Sequence, residues 1–409
     1  TQTRCVCLCN ATKNKMNIVN RALQPLSQSG TQSLDPTTNK SICTFPWVHL
    51  HAWPDGKAFP CCMSDPLKPI GDLKKNKIIE IVNGDKYTEI KNKMLAGEKV
   101  DTCYKCYQQE DMGMESMRLS SFKYHPTDFK EFKLKYLDIR FSNVCNLACV
   151  TCGPTFSSKW HNDWITLGRT SGHERLLELD IMNELTAEHL CDVENVTFAG
   201  GEPLVTDQHF QILEYWIEEQ QDVNISYITN LTNLNYKNKN ILELWNKFKR
   251  VSMLVSVDNV WDKFNYIRWG ADWQQLLINL EKVHTQCPHI DIKITPTISI
   301  LNILDLDKIE RAIHSQTGIH NYQYNFLSYP EYLKAELLPE KYRDEARRMV
   351  SYHKTWLSDN NLTSTMPALV ESILENHDNI EKLEETRKYL GDLDVIRKTN
   401  SKELFPYIW

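Results

Sequence analysis

Ser142-Asn143-Val144-Cys145-Asn146-Leu147-Ala148-Cys149-Val150-Thr151-Cys152-Gly153-Pro154 sets three cysteines at CxxxCxxC spacing. Three thiolates so spaced suit a cubane iron–sulfur cluster and leave one iron without a protein ligand, open to a substrate or cofactor. A structural zinc site closes its tetrahedron with four protein ligands, and a dithiol redox site reads CxxC without a third cysteine, so the spacing leans toward cluster chemistry. Upstream, Leu134-Lys135-Tyr136-Leu137-Asp138-Ile139-Arg140-Phe141 alternates apolar and polar residues as a strand does. The cysteines therefore fall on the loop leaving a strand's C-terminal end, where active sites of α/β barrels collect. Downstream, Val196-Thr197-Phe198-Ala199 is a second strand run that ends in Gly200-Gly201-Glu202-Pro203. Paired glycines there permit tight backbone, and a carboxylate sits at the same rim.

Of 409 residues, 24% are charged and 41% hydrophobic, ordinary for a soluble globular protein of two or more domains. No apolar run approaches the roughly 20 residues of a membrane span, and the N-terminus lacks a signal-peptide pattern. No membrane partner is expected, and a cytoplasmic location is. Thirteen cysteines, clustered as ligand sets in a chain this long, point to metal in a reducing compartment rather than disulfides. A net charge of −6 with interspersed signs argues against general nucleic-acid binding.

Residues 1–40, rich in Thr, Asn, Gln and Ser, read as a flexible N-terminal arm; its Cys5, Cys7 and Cys9 match no familiar cluster loop and read as incidental thiols. Residues 41–125 hold a second cysteine set: Cys43, the pair Cys61-Cys62, and Cys103-Tyr104-Lys105-Cys106. Between them, Val48-His49-Leu50-His51-Ala52-Trp53, Pro54-Asp55-Gly56-Lys57 and Ala58-Phe59-Pro60 read as strand, tight turn and strand, so Cys43 and Cys61 flank a hairpin. Alternation sends Cys61 and Cys62 to opposite faces, so only one of them joins a given metal. Four thiolates from a hairpin and a CxxC fit either a fully ligated iron–sulfur cluster or a zinc ribbon, and ligand count does not separate the two. His49 and His51 read as partly exposed strand residues, neither a catalytic base, and the charges of 109–118 read as solvated surface. Residues 133–330 alternate strands, expected at 223–228, 251–258, 290–298 and 322–326, with helices at 207–220 and 272–286, the pattern of a parallel α/β fold. Residues 331–409 read as mainly helical, their Arg-, Lys- and Glu-rich faces given to packing and solvent.

Taken together, the CxxxCxxC triplet and Gly200-Gly201-Glu202-Pro203 one strand later resemble the radical S-adenosylmethionine (radical SAM) superfamily. The resemblance implies an α/β fold with a partial (β/α)6 TIM-like barrel, preceded by a small cysteine-rich hairpin domain and followed by the helical C-terminal region. It implies that Cys145, Cys149 and Cys152 hold a catalytic 4Fe–4S cluster, that Gly200, Gly201 and Glu202 meet the methionine amine of S-adenosylmethionine, and that Pro203 shapes the turn. Thr229 and Asn230, with Ser256 and Asp258 on the following strand, fall where the superfamily places polar contacts to the ribose and carboxylate. Arg268 looks like the arginine that some relatives set against the cofactor carboxylate, a pairing suited to a planar cation.

The order of Cys, hairpin, Pro-Cys and CxxC resembles the twitch or SPASM-type auxiliary-cluster domain of the same superfamily. That context favours a second, auxiliary 4Fe–4S cluster on Cys43, Cys61, Cys103 and Cys106 over zinc, with Cys61 ahead of Cys62 because it follows Pro60. Two departures stand out. In better-known relatives this domain follows the barrel, whereas here it precedes it. Thr151 occupies the position where many relatives hold an aromatic against the adenine, so stacking is expected from elsewhere or is weaker. The implied activity is reductive cleavage of S-adenosylmethionine to a 5′-deoxyadenosyl radical that abstracts hydrogen. The auxiliary cluster is expected to support oxidative modification of a peptide or protein, or secondly of a small molecule. The sequence carries no recognisable flavin or ferredoxin module, so an external one-electron donor such as flavodoxin or ferredoxin is expected. The competing reading is a non-catalytic zinc or iron–sulfur binding protein on a barrel scaffold, which predicts metal without cofactor cleavage.

Overall fold

The computed structural model describes residues 33–111, 113–170, 172, 174–375 and 381–409, so Cys5, Cys7 and Cys9 lie outside the described residues. The chain divides into two compact units. The first comprises the described residues up to Ser142 together with Glu178–Gly200 and Thr206–Ile225; the second comprises Asn143–Leu177, Gly201–Val205 and Ser226–Trp409.

In the first unit the expected hairpin forms from β1 (His49–Ala52) and β2 (Lys57–Phe59), antiparallel, with His51 opposite Phe59 and Ala52 opposite Ala58. Gly56 turns the chain between them at φ +94°, a conformation that costs glycine little. β2 also pairs with β3 (Gly71–Asp72). On its other edge β1 lies parallel to β4 (Tyr136–Ile139), and β4 lies parallel to β5 (Asn195–Phe198), so the cysteine-flanked hairpin extends the sheet of β4 and β5.

Strand alternation divides this sheet into an apolar and a polar face. Leu50, Ala52, Leu137, Ile139, Val196 and Phe198 are all buried on the first. His49, His51, Tyr136, Asp138 and Thr197 alternate with them. Both histidines are buried, contrary to the expectation of partial exposure, because each finds an acceptor on β4. His49 Nδ1 lies 2.9 Å from the Tyr136 carbonyl and His51 Nδ1 lies 3.1 Å from Asp138 Oδ2. The helix Asp85–Ala96 sends Ile90 and Met94, one turn apart, into a core with Ile42, Cys43, Phe45, Trp47 and Val48.

β6 (Asn224–Thr229) begins in the first unit and runs on into the second. A small hairpin, β7 (Asn235–Tyr236) with β8 (Lys239–Asn240), follows, and β9 (Val251–Val255) then pairs in parallel with β10 (Asp291–Ile294). The strand expected over 290–298 breaks at Pro296, which has no N–H to give a ladder, and resumes as β11 (Thr297–Ile298). The strand expected over 322–326 shortens to β12 (Asn325–Phe326), parallel to β11, plus a single bridge from Tyr322 to Ile294. Between β9 and β10, the helix Trp273–Gln286 is capped by the Asp272 carboxylate on Gln275 N–H at 2.8 Å and buries Trp273, Leu276, Leu280 and Val283. The C-terminal region is helical, with Glu340–Asp359, Met366–Leu374 and Glu381–Arg397 as its longer segments. The fold is thus of the α/β class expected, with parallel strands and a helical C-terminal region. No described helix is long and apolar enough to cross a membrane.

Candidate functional site

The loop bearing Cys145, Cys149 and Cys152 has little regular structure, so its backbone must be satisfied by neighbours. Asn143, fully buried, folds its start: Nδ2 donates to the Pro154 and Arg175 carbonyls at 2.9 and 3.1 Å, and Oδ1 accepts from Leu177 N–H at 2.9 Å. Ser157 Oγ donates to the Leu147 carbonyl at 2.6 Å and Trp160 Nε1 to the Cys149 carbonyl at 2.8 Å. Ala148 N–H and Val150 N–H donate to the carbonyls of Trp269 and Ile267 at 2.9 and 2.7 Å. Tyr389 Oη donates to the Val150 carbonyl at 2.9 Å. Burial raises all three thiols, Cys152 to about 12, and Cys149 adds to the rise at Cys145 and Cys152. Closely held thiols that resist ionising together are a donor set completed by a cationic centre, which favours the thiolate.

Two glycines bring the next strand end close. Gly200, at φ +127°, would place a Cβ 3.3 Å from both the Arg140 Cβ and the Ser142 carbonyl. A Cβ on Gly201 would lie 2.0 Å from the Val144 carbonyl oxygen, so only glycine fits against the cysteine loop there. Glu202 N–H then donates to that same Val144 carbonyl at 2.8 Å, and Pro203 opens the tight turn Pro203–Val205.

The Glu202 side chain is 2% exposed and its carboxylate accepts three hydrogen bonds: from Thr229 Oγ1 at 2.7 Å, Asn230 N–H at 2.7 Å and Leu204 N–H at 3.1 Å. Burial raises its pKa and these donors pull it back. Thr229 and Asn230 thus meet Glu202 itself. The Asn230 amide donates to Asn146 Oδ1 at 3.0 Å, and Asn146 donates to Thr232 Oγ1 at 2.7 Å, tying β6 to the cysteine loop through a residue the sequence reading did not single out.

Asp258 and Arg268 also come together, at 3.0 Å and nearly buried. Asp258 Oδ1 accepts from Thr297 N–H at 2.9 Å, while Arg268 Nη1 reaches Cys149 Sγ at 3.8 Å. Arg268 Nε is buried with no hydrogen-bond partner, a donor held ready for an acceptor. Burial disfavours the guanidinium, but Asp258 and the cysteines outweigh it and keep Arg268 charged. Ser256 is half-buried, its N–H on the Thr229 carbonyl at 2.9 Å.

In the first unit Cys43, Cys61, Cys103 and Cys106 line one cavity, with Arg118 in its wall; Cys62 does not line it. Arg118 corrects the expectation that residues 109–118 are only solvated surface. It is 2% exposed, grips Glu110 through Nε and Nη2 at 2.8 and 2.6 Å, and donates from Nη1 to the Ile42 carbonyl at 3.0 Å. Burial pushes Cys43 to about 11 and raises Cys103 and Cys106 as well. Contact with Cys62, then burial, holds Cys61 well above the usual thiol range. Among the described residues, the one group of three or more metal-ligating side chains with all ligand atoms within 4.8 Å is Glu184, Glu188 and His189, and no cysteines form such a group.

Two family profiles match the chain. A profile of the Radical SAM superfamily matches residues 139–314, and a SPASM profile, described as an iron–sulfur cluster-binding domain, matches residues 43–107. The chain carries a radical SAM domain over residues 139–314, with a SPASM domain on its N-terminal side. Together the two domains imply 4Fe–4S clusters and S-adenosylmethionine as cofactors. Among solved structures, the chain is similar to native anSMEcpe with bound AdoMet, at 16% identity over 56% of this chain and 62% of that one, TM-score 0.39. It is similar to SuiB of Streptococcus suis bound to its precursor peptide SuiA, at 16% identity over 65% and 54%, TM-score 0.36. It is also similar to TYW1 with a lysine-pyruvate adduct bound, at 14% identity over 54% and 71%, TM-score 0.29. The match spans less than two thirds of the anSMEcpe and SuiB chains. A search of curated proteins gave no match.

Proposed function

We propose that the chain is a radical SAM enzyme that oxidatively modifies a peptide or protein. In this reading Cys145, Cys149 and Cys152 hold the catalytic 4Fe–4S cluster, and Cys43, Cys61, Cys103 and Cys106 hold an auxiliary one. The observation that carries it is the seating of Gly201 and Glu202 on the three-cysteine loop, where the Val144 carbonyl leaves no room for a side chain. When bound there, a cluster with one open iron would supply the low-potential electron for reductive cleavage of S-adenosylmethionine and so the radical chemistry of hydrogen abstraction.

The chain's own residues orient and shield. Glu202 supplies an anionic partner for the methionine amine, and the Thr229 hydroxyl and Asn230 N–H fix its carboxylate, so those two act through Glu202. Asp258 pins one nitrogen of Arg268, leaving the guanidinium to receive the cofactor carboxylate at its unpaired Nε. Burial of Glu202, Asp258 and Asn143 keeps the site dry, which strengthens each of these charge contacts. A peptide or protein substrate is supported by the SPASM domain, whose better-known bearers oxidise or cross-link peptide residues, and a small metabolite is the second candidate. The electron donor is external, of the flavodoxin or ferredoxin type.

The test is anaerobic reconstitution with iron and sulfide counting, then dithionite and S-adenosylmethionine with 5′-deoxyadenosine as the readout. Two cubanes give about eight irons and eight sulfides per chain. Zinc bound at the N-terminal set overturns the auxiliary half. A fully loaded, reduced sample that leaves the cofactor intact overturns the enzymatic reading.

A further inference from the structure

The C-terminal helices were expected to carry charge only for packing and solvent, and one of their arginines is buried against residues that hold the three-cysteine loop. Arg397, the last residue of the helix Glu381–Arg397, is 7% exposed. Its guanidinium lies over two tryptophan rings, 4.5 Å from the Trp160 centroid and 5.4 Å from that of Trp269. Those same residues hold the backbone around Cys149: Trp160 Nε1 donates to the Cys149 carbonyl at 2.8 Å, and the Trp269 carbonyl accepts from Ala148 N–H at 2.9 Å. Arg397 Nε donates to Asp163 at 2.9 Å, while Nη1 and Nη2 are buried without a hydrogen-bond partner. Leaving two guanidinium nitrogens unpaired is an expensive way to fill an aromatic slot, since an apolar side chain would pack there without that cost.

We infer that Arg397 is an electrostatic positioning residue of the catalytic site, a second buried cation that joins Arg268 at Cys149 and raises the reduction potential of the cluster held there. The inference rests on the proposed reading of Cys145, Cys149 and Cys152 as ligands. A cluster on three thiolates gains negative charge on reduction, and a fixed nearby cation favours the more negative form. The three cysteines are not equivalent in this respect. Arg268 Nη1 lies 3.8 Å from Cys149 Sγ, and the indole under Arg397 donates to the Cys149 carbonyl at 2.8 Å, so both cations converge on the Cys149 segment. Arginine suits the role because it stays charged when buried and its flat guanidinium can stack on an indole face, which a lysine ammonium cannot do. Asp163, at 20% side-chain exposure, is its partial counter-charge.

The experiment is a redox titration of the reconstituted holoenzyme followed by electron paramagnetic resonance, on wild type, Arg397→Gln, Arg397→Lys and Asp163→Asn. Arg397→Gln should make the catalytic cluster at least tenfold harder to reduce, a midpoint lower by 59 mV for one electron. Arg397→Lys should keep most of the wild-type value. Asp163→Asn, which removes the counter-charge and leaves the arginine in place, should move the midpoint the other way. The auxiliary midpoint should stay put throughout and serves as the internal reference. If Arg397→Gln does not load its cluster, the sign of the Asp163→Asn shift decides. Loaded variants with unmoved midpoints, even if less stable to heat, would show Arg397 to be a structural staple and overturn the inference alone. A wild-type protein that assembles no cluster on this loop overturns the proposed function first, and this inference with it.

Discussion

Glu202 concentrates the chemistry of the candidate active site in one carboxylate. Three donors converge on it in a buried place, Thr229 and Leu204 on one oxygen and Asn230 on the other. In Glu202→Gln one oxygen becomes an NH2 that faces either the Thr229 hydroxyl or the Asn230 N–H, and the negative charge is gone. A hydrogen bond to a charged group contributes about 1.5–3 kcal/mol, so binding of S-adenosylmethionine should weaken by roughly ten- to a hundredfold. Equilibrium binding to the loaded protein checks this, and iron content should match wild type. A variant that binds as tightly as wild type would remove Glu202 from the cofactor site. The sequence reading reached Glu202, Gly201 and the three cysteines because they sit in a motif of fixed spacing. Asn146, Arg118 and Arg397 were not legible in the same way. Each is a single polar residue in an unremarkable run, and its partner lies far along the chain, as Asn230 does for Asn146 and Ile42 for Arg118.

At the scale of the element, burial keeps His49, on the polar face of the β1–β4 pair, neutral. Burial lowers His49 and His125 to about 4, and His209, on the helix Asp207–Glu218, to about 3, against an ordinary value of 6.5. His49 and His125 each stack on the Tyr136 ring, at 4.4 and 4.5 Å between centroids. Between these values and 6.5 the unfolded chain binds protons that the folded chain refuses. The contribution of these groups to stability is therefore complete above pH 6.5 and falls away as the pH drops toward 4. Asp138 adds a second, lower limb. Burial would raise its carboxyl, but Arg140 and His51 outweigh that and hold it well below the usual carboxylate range, so its contribution is lost only on further acidification. Urea denaturation followed by tryptophan fluorescence should show stability declining through pH 6 and 5. In His49→Gln, where an amide can still donate to the Tyr136 carbonyl, the slope should lessen by up to about 1.4 kcal/mol per pH unit. An unchanged slope would mean that His49 is not neutral in the fold. Strand alternation predicted the hairpin, β4 and β5 closely. It overreached at 290–298, where Pro296 interrupts the ladder, and it could not show that β1 lies against β4, because parallel pairing depends on residues far apart in sequence.

For the whole molecule, the two cysteine sets belong to different compact units, Cys43, Cys61, Cys103 and Cys106 to the first and Cys145, Cys149 and Cys152 to the second. The order of these sets was legible from spacing alone. The unit boundaries were not, since the first unit takes in Glu178–Gly200 and Thr206–Ile225, far downstream of the hairpin. Each set draws its surroundings from its own unit: Arg118, Ser121 and Phe45 for one, Asn143, Trp160 and Arg268 for the other. Loading of one set should therefore survive loss of the other. The triple variant Cys145→Ala, Cys149→Ala, Cys152→Ala should retain about four irons and four sulfides and make no 5′-deoxyadenosine. Within the first unit the pair at the hairpin's end is the sharper discriminator, because Cys61 faces the cavity shared with Cys43, Cys103 and Cys106 and accepts from Met63 N–H at 3.3 Å, whereas Cys62 is absent from that wall. Cys61→Ala should lose the auxiliary iron and Cys62→Ala should keep it, as read by iron counting and the absorbance of the reconstituted protein. The reverse outcome would move the ligand to Cys62, and loss in neither would detach the hairpin from the auxiliary cluster altogether.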